Sequence, residues 1–545
     1  MENLDVNFVI DGFPCQGILN QEGNSFYLDV KTSFPTISYK PRKITCCHEQ
    51  QVFVLYNNQI SSRRIFPEFV VENYERSFFN TFEFCLDGLQ DFLSVSEHYK
   101  GNVFCEQLKI DGVGYICECI NDAEKTTVKI TSPCQCVELG KIEEIVQRFV
   151  QLFTLLSYKR VTCTSIHIID DGKKFEFFSW QCKSFSGNKN RHYSLLHAGL
   201  IYSKCLWTNI LDNYFGTKND FFELGLNGFV SLIDSDMFWQ DEIIRICGIW
   251  DQYTKQAKVN VASLYSSEDF DSFFILLKKL MEKDCAKFST MQRNVADFFF
   301  EKQESIKNFL NPHLPERLSA LCNQFDKNIS LIFPNVFSDL LFLVKARNKF
   351  AHGELNKKYL GQFETLYQAF RRIRLQTIVF IYQELGLPLL FICECIRYSL
   401  HDCVRNVELD GFVLAQIIKD IPFFDVDEKT WEYFSQPRIY SCFVYNPSKN
   451  MLELDKTTTE LAWNEHLRGD EPFYGNYVAN VCPNCKEPVY QNTIFIICGD
   501  AHKEINGSYL LNYEDVPAEL KEKCEKQRTD LLLRRVQRNV SRVSR

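Results

Sequence analysis

Residues 338–352 read SDLLFLVKARNKFAH, and the spacing of their apolar side chains predicts a helix that ends in a polar cluster. Ser338 stands where an N-cap is expected, and Asp339 follows in the first turn, where the helix dipole favours an anion. Gly353, directly after His352, is the expected left-handed stop residue. The apolar stripe Leu340, Leu343, Val344 steps next onto Arg347 and Asn348, and His352 lies four residues beyond Asn348 on the same face. Arg347 is rotated from His352 but has the reach to converge on it. The negative end of the helix also favours an imidazolium at His352.

Outward from this helix, the chain divides by period. Helical spacing marks His192–Ile210, Asp241–Ala257, Ser267–Lys283, Thr290–Phe309, Leu314–Phe325 and Tyr359–Leu385, where Gly386-Leu387-Pro388 closes the run. Upstream, Val6–Trp180 reads mostly as strands, among them Asn7–Ile10, Phe26–Val30, Gln51–Leu55, Thr127–Ile130 and Lys174–Ser179. A helix over Lys141–Leu156 interrupts them, with Ile142, Ile145, Val146, Phe149, Leu152 and Phe153 at helical spacing. Beyond Val407 the pattern is mixed. The expected architecture is an α+β multidomain chain. It comprises a strand-rich N-terminal domain (1–190), a helical connecting region (191–265), an all-α helical bundle (266–405) and a small C-terminal module (406–545) that holds zinc.

Composition bounds the function. The 545 residues are 45% apolar and 24% charged, as in an ordinary globular protein. The longest apolar runs, such as Leu340–Val344, fall far short of the roughly 18 residues a membrane span needs. Met1–Gly12 has no basic segment followed by an apolar one, so a secretory signal is not expected. The 23 cysteines, an odd number scattered from Cys15 to Cys524, read as reduced thiols, most of them buried, in a cytoplasmic protein without membrane attachment. A net charge of −9 argues against a general nucleic-acid coat. Within Val344–Arg374, however, Lys345, Arg347, Lys349, Lys357, Lys358, Arg371, Arg372 and Arg374 face only Glu354 and Glu364. That window suits a polyanion.

RNA cleavage calls for these residue types. The ribose 2′-hydroxyl is the nucleophile, so the protein must move protons, which suits His352, and stabilise a phosphorane, which suits the fork of Arg347. No metal is required for that reaction. One copy of the cluster offers a single histidine, whereas a general acid and a general base are two roles, which a homodimer would supply. Lys345, Lys349, Lys357, Lys358, Arg371 and Arg372 are the expected RNA contacts. Arginine followed by histidine at a similar distance recurs at Arg42/His48, Arg160/His167 and Arg191/His197, but only Arg347/His352 joins the following Asn, the helix end and the basic window. The plainer alternative makes Arg347 and Asn348 surface residues on a frayed turn, with His352 a capping histidine.

Near the C-terminus, Cys482, Cys485, Cys498 and His502 follow C-x2-C-x12-C-x3-H, a spacing that fits a structural tetrahedral Zn2+. The alternative is a chance set of thiols with a surface histidine. The C-x-C pairs Cys117/Cys119, Cys134/Cys136 and Cys393/Cys395 read as buried thiols. The arginines of Thr529–Arg545 form either an RNA-contacting tail or a solvated one.

The heptapeptide RNKFAHG, Arg347–Gly353, between long amphipathic helices resembles the R-N-x-x-x-H motif of HEPN domains. With a strand-rich region ahead of the helices, the chain is similar in layout to the ApeA-like HEPN proteins of bacterial anti-phage defence. The resemblance implies that residues 266–405 form an all-α HEPN bundle. It also implies a metal-independent endoribonuclease acting as a homodimer, with Arg347, Asn348 and His352 in the active site. Its substrate would be cellular RNA such as tRNA, cut in abortive infection after a phage-derived trigger relieves the N-terminal domain. Some HEPN domains are silent, so a non-catalytic nucleic-acid-binding or scaffold protein is the alternative.

Overall fold

A computed structural model describes residues 3–525 apart from 11–12, 23–24, 33–42, 57, 62–63, 68, 75, 94–100, 123–124, 134–135, 180–193, 217–225, 234–236, 257–266, 284–288, 303–312, 324–326, 352–361, 400, 408, 420, 435–439, 470–473 and 483–487. Alternating burial such as that of Val6, Phe8 and Ile10 makes the first third of the chain a sheet with one face turned to a core. Its strands are β1 (Leu4–Ile10), β2 (Phe13–Glu22), β3 (Ser25–Val30), β4 (Lys43–His48), β5 (Gln51–Tyr56), β6 (Gln59–Ser61), β7 (Arg64–Phe66), β8 (Phe69–Glu72), β9 (Phe78–Phe79), β10 (Thr81–Asp87), β11 (Gly101–Ile110), β12 (Val113–Asn121), β13 (Thr126–Thr131), β14 (Val137–Glu138), β15 (Thr162–Asp170) and β16 (Lys173–Ser179). Fourteen of them form one antiparallel sheet in the order β11-β12-β13-β10-β15-β16-β8-β5-β4-β1-β2-β3-β7-β6, while β9 and β14 pair separately.

The helices of eight residues or more are α1 (Lys141–Ser157), α2 (Trp207–Gly216), α3 (Trp239–Gln256), α4 (Ser267–Lys283), α5 (Thr290–Glu301), α6 (Leu314–Cys322), α7 (Val336–Ala351), α8 (Phe363–Glu384), α9 (Leu389–Tyr398), α10 (Gly411–Ile418), α11 (Lys456–His466) and α12 (Tyr474–Val481). Helix α1 decides how they meet the sheet. Phe149 packs on Phe84 of β10 at 5.7 Å and on Phe215 of α2 at 4.7 Å. The carbonyl of Leu155 accepts a 2.8 Å hydrogen bond from the Tyr382 hydroxyl of α8. Gly386, at φ +81°, ends α8 in a conformation side chains resist.

The all-α HEPN bundle expected over 266–405 is therefore corrected. The chain pairs a long antiparallel sheet with helices, and one hydrophobic core runs without a break from Val54 and Phe84 through α1 to Leu340, Ile378 and Ile418. The physical reason lies in α1, whose apolar face meets the sheet and whose last turns, Leu152–Ser157, are buried on every side and so need a second layer. A second core, with Phe8, Leu28 and Phe53, sits under β1–β8.

The C-terminal region carries a mixed sheet, β17 (Phe423–Asp425), β20 (Val489–Cys498), β21 (Ala501–Leu510), β18 (Ser441–Asn446) and β19 (Met451–Leu454) in that order. The zinc-containing module is corrected as well. Among the described residues, no group of three or more His, Cys, Asp or Glu side chains gathers to hold a metal. In the β20–β21 hairpin, Ile497 pairs with His502 and Cys498 with Ala501. Paired residues share a face and successive ones alternate, so Cys498 and His502 point to opposite faces. Cys498 packs on one small core and Cys482 on another. His502 stacks on Phe412 at 4.0 Å and lies 3.4 Å from Asp410, and Cys485 falls outside the described residues. No described helix is long and apolar enough to cross a membrane.

Candidate functional site

Helix α7 starts at Val336, two residues before the expected cap. The Ser338 hydroxyl donates back to the carbonyl of Asn335 at 2.8 Å instead of capping. Leu340, Leu343 and Ala346 are fully buried, and they seat α7 against α8 and α3. Asp339 is buried too, and it accepts both arms of the Arg372 guanidinium, at 2.7 and 2.8 Å. This fork joins α7 to α8 near one end. At the other, Trp239 of α3 meets Phe350 edge-on at 5.5 Å and Phe363 at 5.1 Å. The two joints set α7 and α8 antiparallel.

The last turns of α7 hold the described part of the expected site. Arg347 is half-buried, and Asn348 is exposed. Asn348 does not continue the core stripe, because Ala346 takes that place. Burial pushes the Cys247 thiol of α3 up to about 12 while the Arg347 guanidinium pulls it back, so Arg347 faces α3. Lys345 is exposed and Lys349 half-buried. His352, Lys357 and Lys358 lie outside the described residues. Helix α7 runs unbroken to Ala351, the residue before His352.

The basic window is less available than its count suggests. Arg372 is bound to Asp339. Arg374 donates from Nε to the Tyr158 hydroxyl and from Nη2 to the Leu232 carbonyl, both at 2.7 Å, with Glu242 at 3.8 Å. Burial alone would lower Arg374, but Tyr158 and Glu242 outweigh it and hold it above its ordinary value. Arg371 is different. Its guanidinium lies 4.1 Å over the Tyr367 ring and reaches the Asn406 carbonyl at 3.5 Å.

An open pocket of about 210 Å³ adjoins Arg371 and Arg374, lined also by Tyr158, Glu242, Tyr367 and His401. The Cys403 amide donates to Nδ1 of His401 at 3.0 Å, so Nε2 carries the proton of the neutral ring. The ring stands edge-on to Tyr158 at 5.1 Å. Sequence reading missed this pocket. Tyr158, Glu242 and His401 come from three separate stretches, and none lies in a recognisable motif. Of the C-x-C cysteines, Cys117, Cys119, Cys393 and Cys395 are buried, Cys136 is exposed and Cys134 lies outside the described residues.

Compared with protein families, with curated proteins and with solved structures, the chain has no match in any of the three.

Proposed function

We propose that the chain is a metal-independent endoribonuclease acting on cellular RNA as a homodimer. The observation that supports this reading is the end of α7. A half-buried arginine, an exposed asparagine and an unbroken helix lead directly to His352. Arg347, half-buried and facing α3, is suited to hold the phosphorane charge, because the fork of a guanidinium matches two of its oxygens. His352 would pass the 2′-hydroxyl proton on, and a second copy would supply the other proton-transfer group. The chain's own groups and the substrate's hydroxyl account for every step, so this reading assigns no metal a role. Transfer RNA and a phage-derived trigger belong to this reading through the resemblance alone.

The test is cleavage of RNA in the presence of chelator, read for 2′,3′-cyclic phosphate ends. His352→Ala is expected to lower the rate by roughly 10²- to 10⁴-fold with the circular dichroism spectrum unchanged. Undiminished cleavage by that variant would overturn the assignment. A binding protein without catalysis is the second reading. The exposed Lys345 and the half-buried Lys349 and Arg371 suit it, since binding asks only for cations at the surface and no proton transfer. It predicts salt-dependent RNA binding with no cut product.

A further inference from the structure

Phe363, Tyr367 and Arg371 follow one another at four-residue steps along α8, so they share a face. The rings of Phe363 and Tyr367 are 5.7 Å apart with planes 13° from parallel, and the Arg371 guanidinium caps Tyr367 at 4.1 Å. This is a continuous stack of two rings and one planar cation. Its first member is still 39% exposed, and its last borders the open pocket. Trp239 braces Phe363 edge-on, and the neighbouring Phe238 is 78% exposed. Helix α8 buries Leu366, Phe370 and Ile373 in the main core, and Tyr367 packs against that core, so the column is anchored at Tyr367 and reaches solvent at Phe363.

We infer that this column is a stacking platform for unpaired nucleobases. The inference rests on the ribonuclease reading, and it narrows the substrate to RNA with single-stranded bases beside the cut. Inserting a base between the two rings would need about 6.8 Å, twice the 3.4 Å rise per base. At 5.7 Å the column is closed to insertion, so a base stacks on the outer face of Phe363. The exposed Lys345 on the adjoining α7 supplies charge for the backbone. Paired RNA does not fit the requirement, because its bases are already stacked and its major groove is too narrow for side chains to read.

The experiment uses 2′-O-methyl oligonucleotides, which lack the attacking hydroxyl and therefore report binding alone. Phe363→Ala in the full chain should weaken binding of a single strand about tenfold or more, the effect of losing one stacked base. Binding of the matching duplex should change less than twofold. Phe363→Trp should restore affinity, and the emission of the introduced indole should be quenched when the single strand binds. Single-strand affinity unchanged in Phe363→Ala, an equal loss for duplex, or indole emission left unquenched in Phe363→Trp would each overturn the platform. The cleavage assay with unmodified RNA is read separately. Should the wild type bind with these signatures yet never cut, the ribonuclease reading fails and the platform stands.

Discussion

Helices α1 and α4 are each seventeen residues long and rich in phenylalanine, leucine and isoleucine, yet they meet opposite fates. Helix α1 buries Ile142, Ile145, Phe149, Leu152 and Phe153 completely or nearly so. Helix α4 leaves Phe273, Ile275, Leu276 and Leu280 roughly half exposed. Its apolar run Phe273–Leu277 is consecutive, and five residues at about 100° each encircle a helix, so one neighbour cannot cover them. Helix α1 has the sheet on one side and α2 and α8 on the other. An apolar helix is enclosed by the layers it lies between, and its own composition does not decide that.

This contrast can be broken or sharpened by measurement. The largest effect is expected in α1. Phe149→Ala should lose about 3–5 kcal/mol in denaturant unfolding, because the ring touches both sheet and helix layers. A loss under about 1 kcal/mol would show that the two layers do not depend on α1. The second test uses pH. Burial raises the Tyr214 phenol, which packs beside α1 and donates to Gln151. Folding thus favours the neutral phenol. That contribution is full below the ordinary value of 10 and is lost as pH rises toward the folded value. Tyr214→Phe should raise the pH at which half the protein unfolds in alkali, and a lowered midpoint would contradict this.

Smaller effects should follow. Tyr382→Phe removes the hydroxyl bonded to Leu155 and should cost about 1 kcal/mol, a buried hydrogen bond joining α8 to α1. Phe273→Ala on α4 should change stability by no more than about 0.5 kcal/mol. A loss of about 2 kcal/mol or more there would mean that α4 is covered in solution.

Part of this arrangement was legible from the residues. The spacing of Ile142, Ile145, Val146, Phe149, Leu152 and Phe153 located α1 to within a residue of its observed end. The stripe Leu340, Leu343 similarly located the buried face of α7. Periodicity reveals which face of a helix is apolar, but it does not reveal how many layers will press on it. Period alone therefore makes a separate bundle of helices that in fact share a core with the sheet. Charge counting fails for a related reason. Asp339 and Glu242, which occupy Arg372 and Arg374, come from other helices, so the window looks freer than it is. The Cys498 and His502 spacing reads as ligand geometry, but a hairpin inverts side-chain direction at every residue, and counting alone does not carry that phase. The pocket of Tyr158, Glu242 and His401 left no trace in any one stretch, since only folding assembles it.

Because α1 packs against both the strands and the helices, a cut after residue 190 would pass through one continuous core. A gene fragment that starts there would expose Trp207, Phe215 and Tyr382 to water, and one that stops there would uncover Phe149 and Phe153. Neither half can be exchanged, fused elsewhere or inherited alone without carrying the other's interior with it.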